Sequence, residues 1–309
     1  MALTLVPPGH DVTAAVATDN RVWTSGPALR FRAASVTKTF VAATALVLAE
    51  RGLLDVAQPT EELLDPELLT ELVEGGYDPG RITVEHLLGH RAGLPDHSTS
   101  ATFTAAVRAD PGHVWTRAEQ LAIALGEGGP LGVPGAVVHY SDTGYVLIGD
   151  ILERVCGRPL GDVVADALDL AIRTPDTVWE VEQVAQPRFP QRVDATLDVW
   201  HIDASVDLFG GGGLVSTARD LAVFGRDLLT GRVLSTNALD RLLAHGLGIV
   251  RAPGPAELWG HLGFWGTAML GSSSGIGIGV AVSPAPIGGG CDPGGVALRL
   301  HAALLDGQL

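Results

Sequence analysis

Hydrophobic and polar positions alternate near the start of the chain and then change to helical spacing. Residues 12–18 and 21–24 are rich in β-branched and small apolar side chains, and a turn-forming Asp-Asn pair separates them, which predicts two strands joined by a tight turn. Over residues 35–51, apolar side chains recur at helical spacing and alanines fill the other faces. A helix that is apolar all round is usually buried, so we predict a buried helix here that ends at Gly52.

The middle of the chain, residues 56–205, carries short helical patterns that proline and glycine interrupt. The clearest of these patterns lie at 83–89 and 142–155. Residues 173–205 have weak periodicity, and the sequence does not assign a structure to them.

The last third of the chain returns to a mixture of helix and strand. Thr217 follows a run of glycines and has the character of an N-cap, which predicts a helix over 217–229. Residues 258–270 and 276–282 are rich in aromatic or β-branched side chains and predict strands, and a final helix is predicted over 296–305. The pattern therefore predicts α/β ends around a helical middle.

Composition and charge narrow the classes of partner. The 309 residues contain 20 Lys and Arg against 35 Asp and Glu, a net charge of −15, which disfavours nucleic acid and membrane surfaces as partners. Cys156 and Cys291 are too few for a disulfide framework or a cysteine-based zinc site. The first residues lack a basic region and a cleavage site, and the longest uncharged apolar stretch, 40–49, is far shorter than a bilayer span. These features predict a cytoplasmic location.

Ser35 and Lys38 stand three residues apart at the start of the predicted buried helix, where their side chains would be neighbours. Serine needs a base beside it to act as a nucleophile, and lysine serves when burial lowers its pKa from about 10.4. The alternative is an N-cap serine followed by a solvated lysine. Because an uncharged apolar stretch follows Lys38, we expect its amine to be at least partly desolvated.

Two further motifs carry polar chemistry. Tyr140, two residues before Asp142, precedes a predicted helix, and a phenol relays a proton if a neighbouring cation lowers its pKa from about 10. His261 and Gly263 lie on a predicted strand, where the glycine would let a substrate lie close and the next N–H, that of Phe264, would meet a carbonyl oxygen. The alternatives are a packed tyrosine at a loop–helix junction and a strand histidine with aromatic neighbours.

In their order and spacing, the three motifs resemble those of the serine β-lactamase and penicillin-binding-protein superfamily. Their form is similar to the branch with class C β-lactamases, D-aminopeptidases and related esterases, in which the motifs are S-x-x-K, Y-x-N and either K-T-G or H-x-G. Residues 82–96 (ITVEHLLGHRAGLPD), 134–145 (PGAVVHYSDTGY) and 211–221 (GGGLVSTARDL) resemble further segments of this branch. The matches extend from about residue 30 to about residue 270.

The resemblance implies a fold and a domain division. The fold class would be α/β of the α+β type, with an antiparallel sheet flanked by helices and an inserted, mostly helical domain. Residues 1–55 and 206–309 would form the domain with the sheet, and 56–205 the helical domain. The active site would lie between the two.

The resemblance also implies catalytic roles. Ser35 would be the acylated nucleophile, and Lys38 and Tyr140 would share the duties of general base and general acid. The backbone N–H groups of Ser35 and Phe264 would form the oxyanion hole, where the loss of one donor typically costs about 10²- to 10³-fold in rate. The resemblance implies neither a cofactor nor a metal.

Asp142 departs from the pattern of the branch, which has asparagine at this position. An ionised aspartate only accepts hydrogen bonds, whereas an amide both donates and accepts. Asp142 near Lys38 would favour the ammonium form and weaken the lysine as a base, which puts β-lactam turnover in doubt.

His261 stands where other members have lysine, and with Gly263 it would form the strand wall of the site. With an ordinary pKa near 6.5 it is mostly neutral at pH 7, so a permanent cation for a substrate carboxylate is missing. The site therefore favours esters, neutral amides or D-amino-acid derivatives. Phe264 and Trp265 add a hint of an apolar or aromatic acyl group, although strand aromatics more often belong to a core.

We therefore predict a serine hydrolase that acts on a small-molecule ester or amide through an acyl-Ser35 intermediate. An acyltransferase using the same intermediate, and a non-catalytic binding protein with Asp142 as its best support, stay open, as does the oligomeric state. Two other patterns are disfavoured. Residues 271–275 fit the G-x-S-x-G elbow, but a β-like run follows instead of a helix. His86 and His90 have metal-ligand spacing but lack the glutamate of H-E-x-x-H.

Overall fold

Two antiparallel sheets form the β structure of the described residues. The computed structural model describes residues 9–180, 187–194, 196–254, 256–286 and 290–309. The larger sheet has the order β2-β1-β9-β8-β7-β6, and the smaller has the order β3-β5-β4. The strands are β1 (Asp11–Ala17), β2 (Val22–Ser25), β3 (Phe31–Arg32), β4 (Val178–Trp179), β5 (Leu214–Ser216), β6 (Val250–Arg251), β7 (Trp259–Gly263), β8 (Thr267–Ser272) and β9 (Ile276–Ser283).

Helices surround the sheets and fill the middle of the chain. A short 3-10 turn, Ala34–Val36, leads directly into the first of them. The helices are α1 (Thr37–Glu50), α2 (Pro66–Glu74), α3 (Val84–Leu88), α4 (Ala101–Ala109), α5 (Arg117–Gly126), α6 (Asp142–Cys156), α7 (Leu160–Ala167), α8 (Leu170–Arg173), α9 (Ala218–Leu229), α10 (Thr236–His245) and α11 (Pro293–Leu305). No helix of the described residues is long and apolar enough to cross a membrane.

The larger sheet is covered on both faces, because alternate residues of its strands point to opposite sides. In β1, Ala15 and Ala17 join the apolar cluster that contains α9. Val12 and Val16 of the same strand join the cluster that contains α11. An antiparallel sheet flanked by helices is thus the arrangement that the chain forms, as predicted.

Glycines in β9 let α9 lie very close to the sheet. A Cβ at Gly277 would lie 1.9 Å from the carbonyl oxygen of Ala222, and one at Gly279 would lie 2.1 Å from that of Ala218. Side chains at these positions would push the helix away. The alternating glycines therefore serve packing and do not form a nucleotide-binding loop.

The predicted buried helix is α1, which begins two residues after Ser35. Its residues from Thr37 to Leu48 are buried, and Phe40 stacks on Phe224 of α9 with ring centroids 3.7 Å apart. This contact joins the helix that carries Lys38 to the helix that covers the larger sheet.

Two predicted elements differ from the observed ones. The single strand predicted over 258–270 is two strands, because residues 264–266 form a turn between β7 and β8. The unassigned region 173–205 contributes β4, which pairs with β5 in the smaller sheet. The proposed division at residues 55 and 206 stays a prediction.

Candidate active site

A strained turn positions Ser35 at the start of α1. The preceding residue, Ala34, has a φ of 50°, a backbone conformation that residues with a Cβ seldom adopt. The hydroxyl of Thr267 in β8 donates a 2.7 Å hydrogen bond to the carbonyl of Ala33 and fixes this turn against the larger sheet. Such strain persists only where the surroundings enforce it, and it commonly occurs at functional sites.

Lys38 is the centre of the polar cluster and is completely buried. Its Nζ lies 3.0 Å from the Oγ of Ser35, donates to the carbonyl of Gly211 at 2.7 Å, and forms an ion pair with Asp142 Oδ1 at 2.6 Å. The Tyr140 hydroxyl is a further partner, so more acceptors surround the amine than an ammonium group has N–H donors.

The ion pair determines the protonation state of Lys38. Burial lowers the pKa of Lys38, but the Asp142 carboxylate and the Tyr140 oxygen raise it more, so the net pKa lies above its ordinary value. Lys38 in turn holds the pKa of Asp142 below its ordinary range, although burial opposes this. The amine is therefore an ammonium at neutral pH. This direction agrees with the expectation that Asp142 near Lys38 would favour the ammonium form, and the contact outweighs the effect of burial.

Tyr140 lies over the same cluster. The residue as a whole is 40% exposed, but its hydroxyl lies within the cluster, where loss of hydration raises its pKa to about 12; the Lys38 ammonium lowers this pKa and the Asp142 carboxylate raises it again. The hydroxyl also interacts with Lys38 and Ser35, and both contacts favour the phenolate. The net shift is opposite to the one that the sequence suggested, so Tyr140 is a neutral phenol at pH 7.

The loop before α6 brings Tyr140 and Asp142 into place. Ser141 caps the helix by accepting a hydrogen bond from the N–H of Gly144, and its hydroxyl donates to the carbonyl of Pro95 at 2.8 Å. Its own N–H donates to Nδ1 of His90, whose ring lies 4.4 Å from the Tyr140 ring. His90 thus supports the tyrosine.

The glycine run forms a bend that borders the site. Gly210 and Gly213 have φ values of 122° and 107°, which glycine adopts without strain. Between them, a Cβ at Gly211 would lie 3.5 Å from Lys38 Nζ and 3.4 Å from Asp142 Cγ. The bend therefore brings a backbone carbonyl to the lysine.

Strand β7 lies beside the nucleophile turn because Gly263 has no side chain. A Cβ there would lie 2.5 Å from the carbonyl oxygen of Ala33 and 2.1 Å from the hydroxyl of Thr267. The turn that begins at Phe264 therefore follows directly beside Ser35. This neighbourhood suits the oxyanion role expected for the N–H groups of Phe264 and Ser35, which stays a prediction.

His261 faces the same cluster as a neutral imidazole. Burial, and then the charge of Lys38, lower its pKa to about 4. Its Nδ1 lies 2.7 Å from the carbonyl of Leu262, which only accepts, so Nδ1 carries the proton and Nε2 carries the lone pair. The ring centroid lies 5.9 Å from that of Tyr140.

The two aromatic residues after Gly263 differ in exposure. Phe264 is 51% exposed, whereas Trp265 is 8% exposed and packs in an apolar cluster with Ala34. The Nε1–H of Trp265 donates to Asp207 Oδ2 at 3.2 Å. Of the pair, Phe264 is the one whose ring is available to a ligand.

One amide side chain ties the nucleophile segment to the β7–β8 turn. Gln191 accepts a hydrogen bond from the N–H of Arg32 at 2.7 Å and donates to the carbonyls of Arg32 at 3.0 Å and of Trp265 at 3.2 Å. Arg32 itself forms a buried bidentate pair with Glu180. These contacts fix the distance between the two backbone segments that border the site.

Sequence reasoning missed two acids near the site. Burial, and then the charge of Asp142, raise the pKa of Asp96 to about 6; its Oδ1 accepts from the N–H of Asp142 at 3.2 Å. Burial also raises the pKa of Asp207 to about 6. Asp96 lies in the segment that resembles the family, and this could have drawn attention to it, but no pattern singles out Asp207.

The metal-ligand spacing of His86 and His90 has a structural explanation. Nδ1 of His86 accepts from the N–H of Thr83 and completes a capping box at the start of α3. His90 supports the loop before α6, as described above. Within the part of the chain that the structure describes, no cluster of three or more His, Cys, Asp or Glu side chains is placed to hold a metal ion.

Comparisons with known proteins agree on one family. A family model described as Beta-lactamase matches residues 8–284. Penicillin-binding protein 4* of Bacillus subtilis (strain 168) is 27% identical over 165 residues, which make up 53% of this chain and 33% of that protein. The chain thus matches about a third of the length of this curated relative.

Solved structures share the fold. A D-stereospecific amidohydrolase from Streptomyces sp. has a TM-score of 0.78 at 27% identity and covers 89% of this chain and 88% of its own. The D-amino acid amidase from Ochrobactrum anthropi SV3, complexed with L-phenylalanine, has a TM-score of 0.78 at 23% identity, and the match covers 96% of this chain and 95% of the amidase. An octameric penicillin-binding protein homologue from Pyrococcus abyssi has a TM-score of 0.76 at 21% identity, and the match covers 99% of this chain and 75% of that homologue. The last two show the fold alone.

Proposed function

Since the chain belongs to the Beta-lactamase family, we propose that it is a serine hydrolase that cleaves a small ester or amide through an acyl intermediate on Ser35. The observation that carries the proposal is the hydroxyl of Ser35 lying 3.0 Å from a buried lysine amine, at the end of a strained turn. This arrangement supplies a held nucleophile and a fixed positive charge beside it.

Acylation uses Tyr140 as a relay and Lys38 as a fixed cation. Oγ of Ser35 attacks the carbonyl carbon, and its proton passes to the Tyr140 oxygen while the proton of Tyr140 passes to the departing nitrogen or oxygen. The bond from the carbonyl carbon to that atom breaks, and acyl-Ser35 remains. A neutral phenol both accepts and donates, which fits a pKa of about 12. The ammonium of Lys38 stabilises the negative charge that develops on the two oxygens.

Deacylation runs through the same groups in reverse. A water molecule takes the place of the leaving group and attacks the acyl carbon. Its proton passes to Tyr140, and the proton of Tyr140 returns to Oγ of Ser35 as the acyl bond breaks. In both steps the N–H groups of Ser35 and Phe264 receive the carbonyl oxygen.

Electrostatics favours substrates without a carboxylate next to the reacting group. Asp142 already neutralises Lys38, and His261 is uncharged at pH 7. The similarity to a D-stereospecific amidohydrolase and, in fold alone, to a D-amino acid amidase supports amides of D-amino acids as the substrate class. Exposed Phe264 suits an apolar part of such a substrate.

The test is labelling with a fluorophosphonate probe, followed by intact mass spectrometry with p-nitrophenyl esters and D-amino-acid amides. We expect one label per chain, on Ser35, and no label in Ser35→Ala. Tyr140→Phe keeps the ring but removes the relay, so kcat/KM should fall by about 10²- to 10⁴-fold. A folded wild-type protein that takes no label between pH 7 and 9 would favour the binding-protein alternative, which the locked Lys38–Asp142 pair supports.

A further inference from the structure

Near the site, two charged pairs lie beside two carboxylates that form no ion pair within the described residues, those of Asp96 and Asp207. Lys38 is neutralised by Asp142, and the guanidinium of Arg32 is engaged by Glu180 at 2.7 and 3.1 Å. Asp207 has no such partner, since no lysine, arginine or histidine of the described residues forms an ion pair with it. Asp96 is buried and its Oδ1 accepts from the backbone N–H groups of Ser98 and Asp142, so of the two carboxylates Asp207 is the more exposed.

Asp207 lies between the β7–β8 turn and the glycine bend. Its Oδ2 accepts from the Nε1–H of Trp265, the residue after the predicted oxyanion donor Phe264. On the other side, a Cβ at Gly212 would lie 2.3 Å from Oδ2, so the carboxylate rests directly on the glycine bend. The adjacent glycine, Gly211, contacts Lys38.

One oxygen of this carboxylate has no protein partner. Trp265 donates to Oδ2, and no described residue donates a hydrogen bond to Oδ1. The residue is only partly buried. Burial raises the pKa of Asp207 and the charge of Arg32 lowers it, but that guanidinium is already engaged by Glu180, so a ligand cation would still stabilise the carboxylate.

The imidazole of His261 also favours a ligand with a hydrogen-bond donor. His261 is 6% exposed, and its Nδ1–H is used by the carbonyl of Leu262. Nε2 therefore presents a lone pair, and no described residue donates to it. A carboxylate ligand would face repulsion from both groups, whereas an ammonium or amide N–H would satisfy them.

We propose that Asp207 is a specificity-determining residue that pairs with the free ammonium group of the substrate, so that the enzyme selects amides and esters of unblocked amino acids. The inference rests on the proposed function, because the ammonium is taken to belong to the acyl group that Ser35 receives. Asp207 takes no part in the bond changes and acts only by binding.

The experiment compares two p-nitroanilides with the same leaving group, that of D-alanine and that of propionic acid, which lacks the amine. Wild-type enzyme should prefer the D-alanine compound. Asp207→Asn keeps an oxygen for the indole N–H of Trp265 but removes the charge. It should lower kcat/KM for the D-alanine compound by about 10- to 100-fold, mainly through KM, and change that for the propionyl compound by less than about twofold.

Asp203→Asn is the matched control, because Asp203 lies on the same segment and caps the turn at Ser205, which asparagine caps equally well. It should leave kcat/KM for both compounds unchanged.

If Asp207→Asn lowers kcat/KM for both compounds equally, Asp207 has a structural role, and the inference fails while the proposed function stands. If the wild type shows no preference for the amine, the inference also fails. If neither compound is cleaved and Ser35 takes no label, the proposed function itself fails.

Discussion

Replacing Asp142 by asparagine tests whether Lys38 works as a cation or as a base. The contact of 2.6 Å between unit charges is worth at most about 6 kcal/mol at an effective dielectric constant of about 20. Asparagine keeps the shape of the side chain but removes this energy. Burial, which is the largest influence on Lys38, then dominates and lowers its pKa below the ordinary value.

The two mechanisms predict opposite pH profiles for Asp142→Asn. If Lys38 acts as a fixed ammonium, kcat/KM falls as the pH rises through its lowered pKa, by about tenfold or more up to pH 9.5, whereas the wild type stays flat. If Lys38 acts as a neutral base, activity rises over the same range. The assay is kcat/KM for a p-nitrophenyl ester from pH 6 to 9.5. A gain in the variant would refute the relay that we propose.

The pH dependence of the free energy of unfolding tests the same substitution independently. In the wild type the folded pKa of Lys38 is raised, so its stabilising contribution is complete below the unfolded pKa of about 10.4 and is lost as the pH rises through the folded value. In the variant the folded pKa is lowered, so stability is lost as the pH falls through it. Urea unfolding at several pH values measures how the free energy of unfolding changes with pH in the wild type and in the variant. Asp150→Asn, a charge change elsewhere on α6, should leave the wild-type slope intact.

Three further predictions concern the frame of the site. Gly263→Ala places a Cβ 2.5 Å from a backbone carbonyl oxygen, so kcat/KM should fall by about 10²-fold or more. The control is Gly126→Ala, whose added Cβ has no other atom within 4 Å, and its activity should match that of the wild type. Arg32→Met strands the buried Glu180 and should cost about 3–5 kcal/mol in urea unfolding; a double variant with Glu180→Met that recovers none of this would contradict the argument. Burial lowers the pKa of His97 to about 4, so its contribution to stability is lost as the pH falls from about 6.5 towards 4; His97→Gln should flatten that slope by about 1.4 kcal/mol per pH unit.

Local signals in the sequence were enough for the regular elements. Thr217 accepts a hydrogen bond from the N–H of Asp220, as an N-cap does, and α9 follows it. The pattern over 142–155 predicted α6 to within one residue, because its apolar face is continuous. The joined strand prediction over 258–270 was wrong, since apolar side chains continue through the turn after Gly263 and hide it.

The electrostatics of the site could not be predicted in the same way. The sequence identified Asp142 as a charge near Lys38, but the net direction of the lysine pKa depends on a distance that only the fold sets. Asp207 reaches the site through a contact with Trp265, 58 positions away, and Glu180 reaches Arg32 across 148. Neither pairing has a local pattern to reveal it.

The bridging role of Gln191 has a consequence for how the enzyme loses activity on heating. Its amide holds the strand before Ser35 and the turn after β7 in one hydrogen-bonded unit, buried from solvent. Neither segment opens without exposing the other, so fraying of the catalytic geometry ahead of the rest of the molecule is suppressed. Inactivation and global melting should therefore occur at the same temperature, and amide hydrogens on both segments should exchange only when the whole fold does.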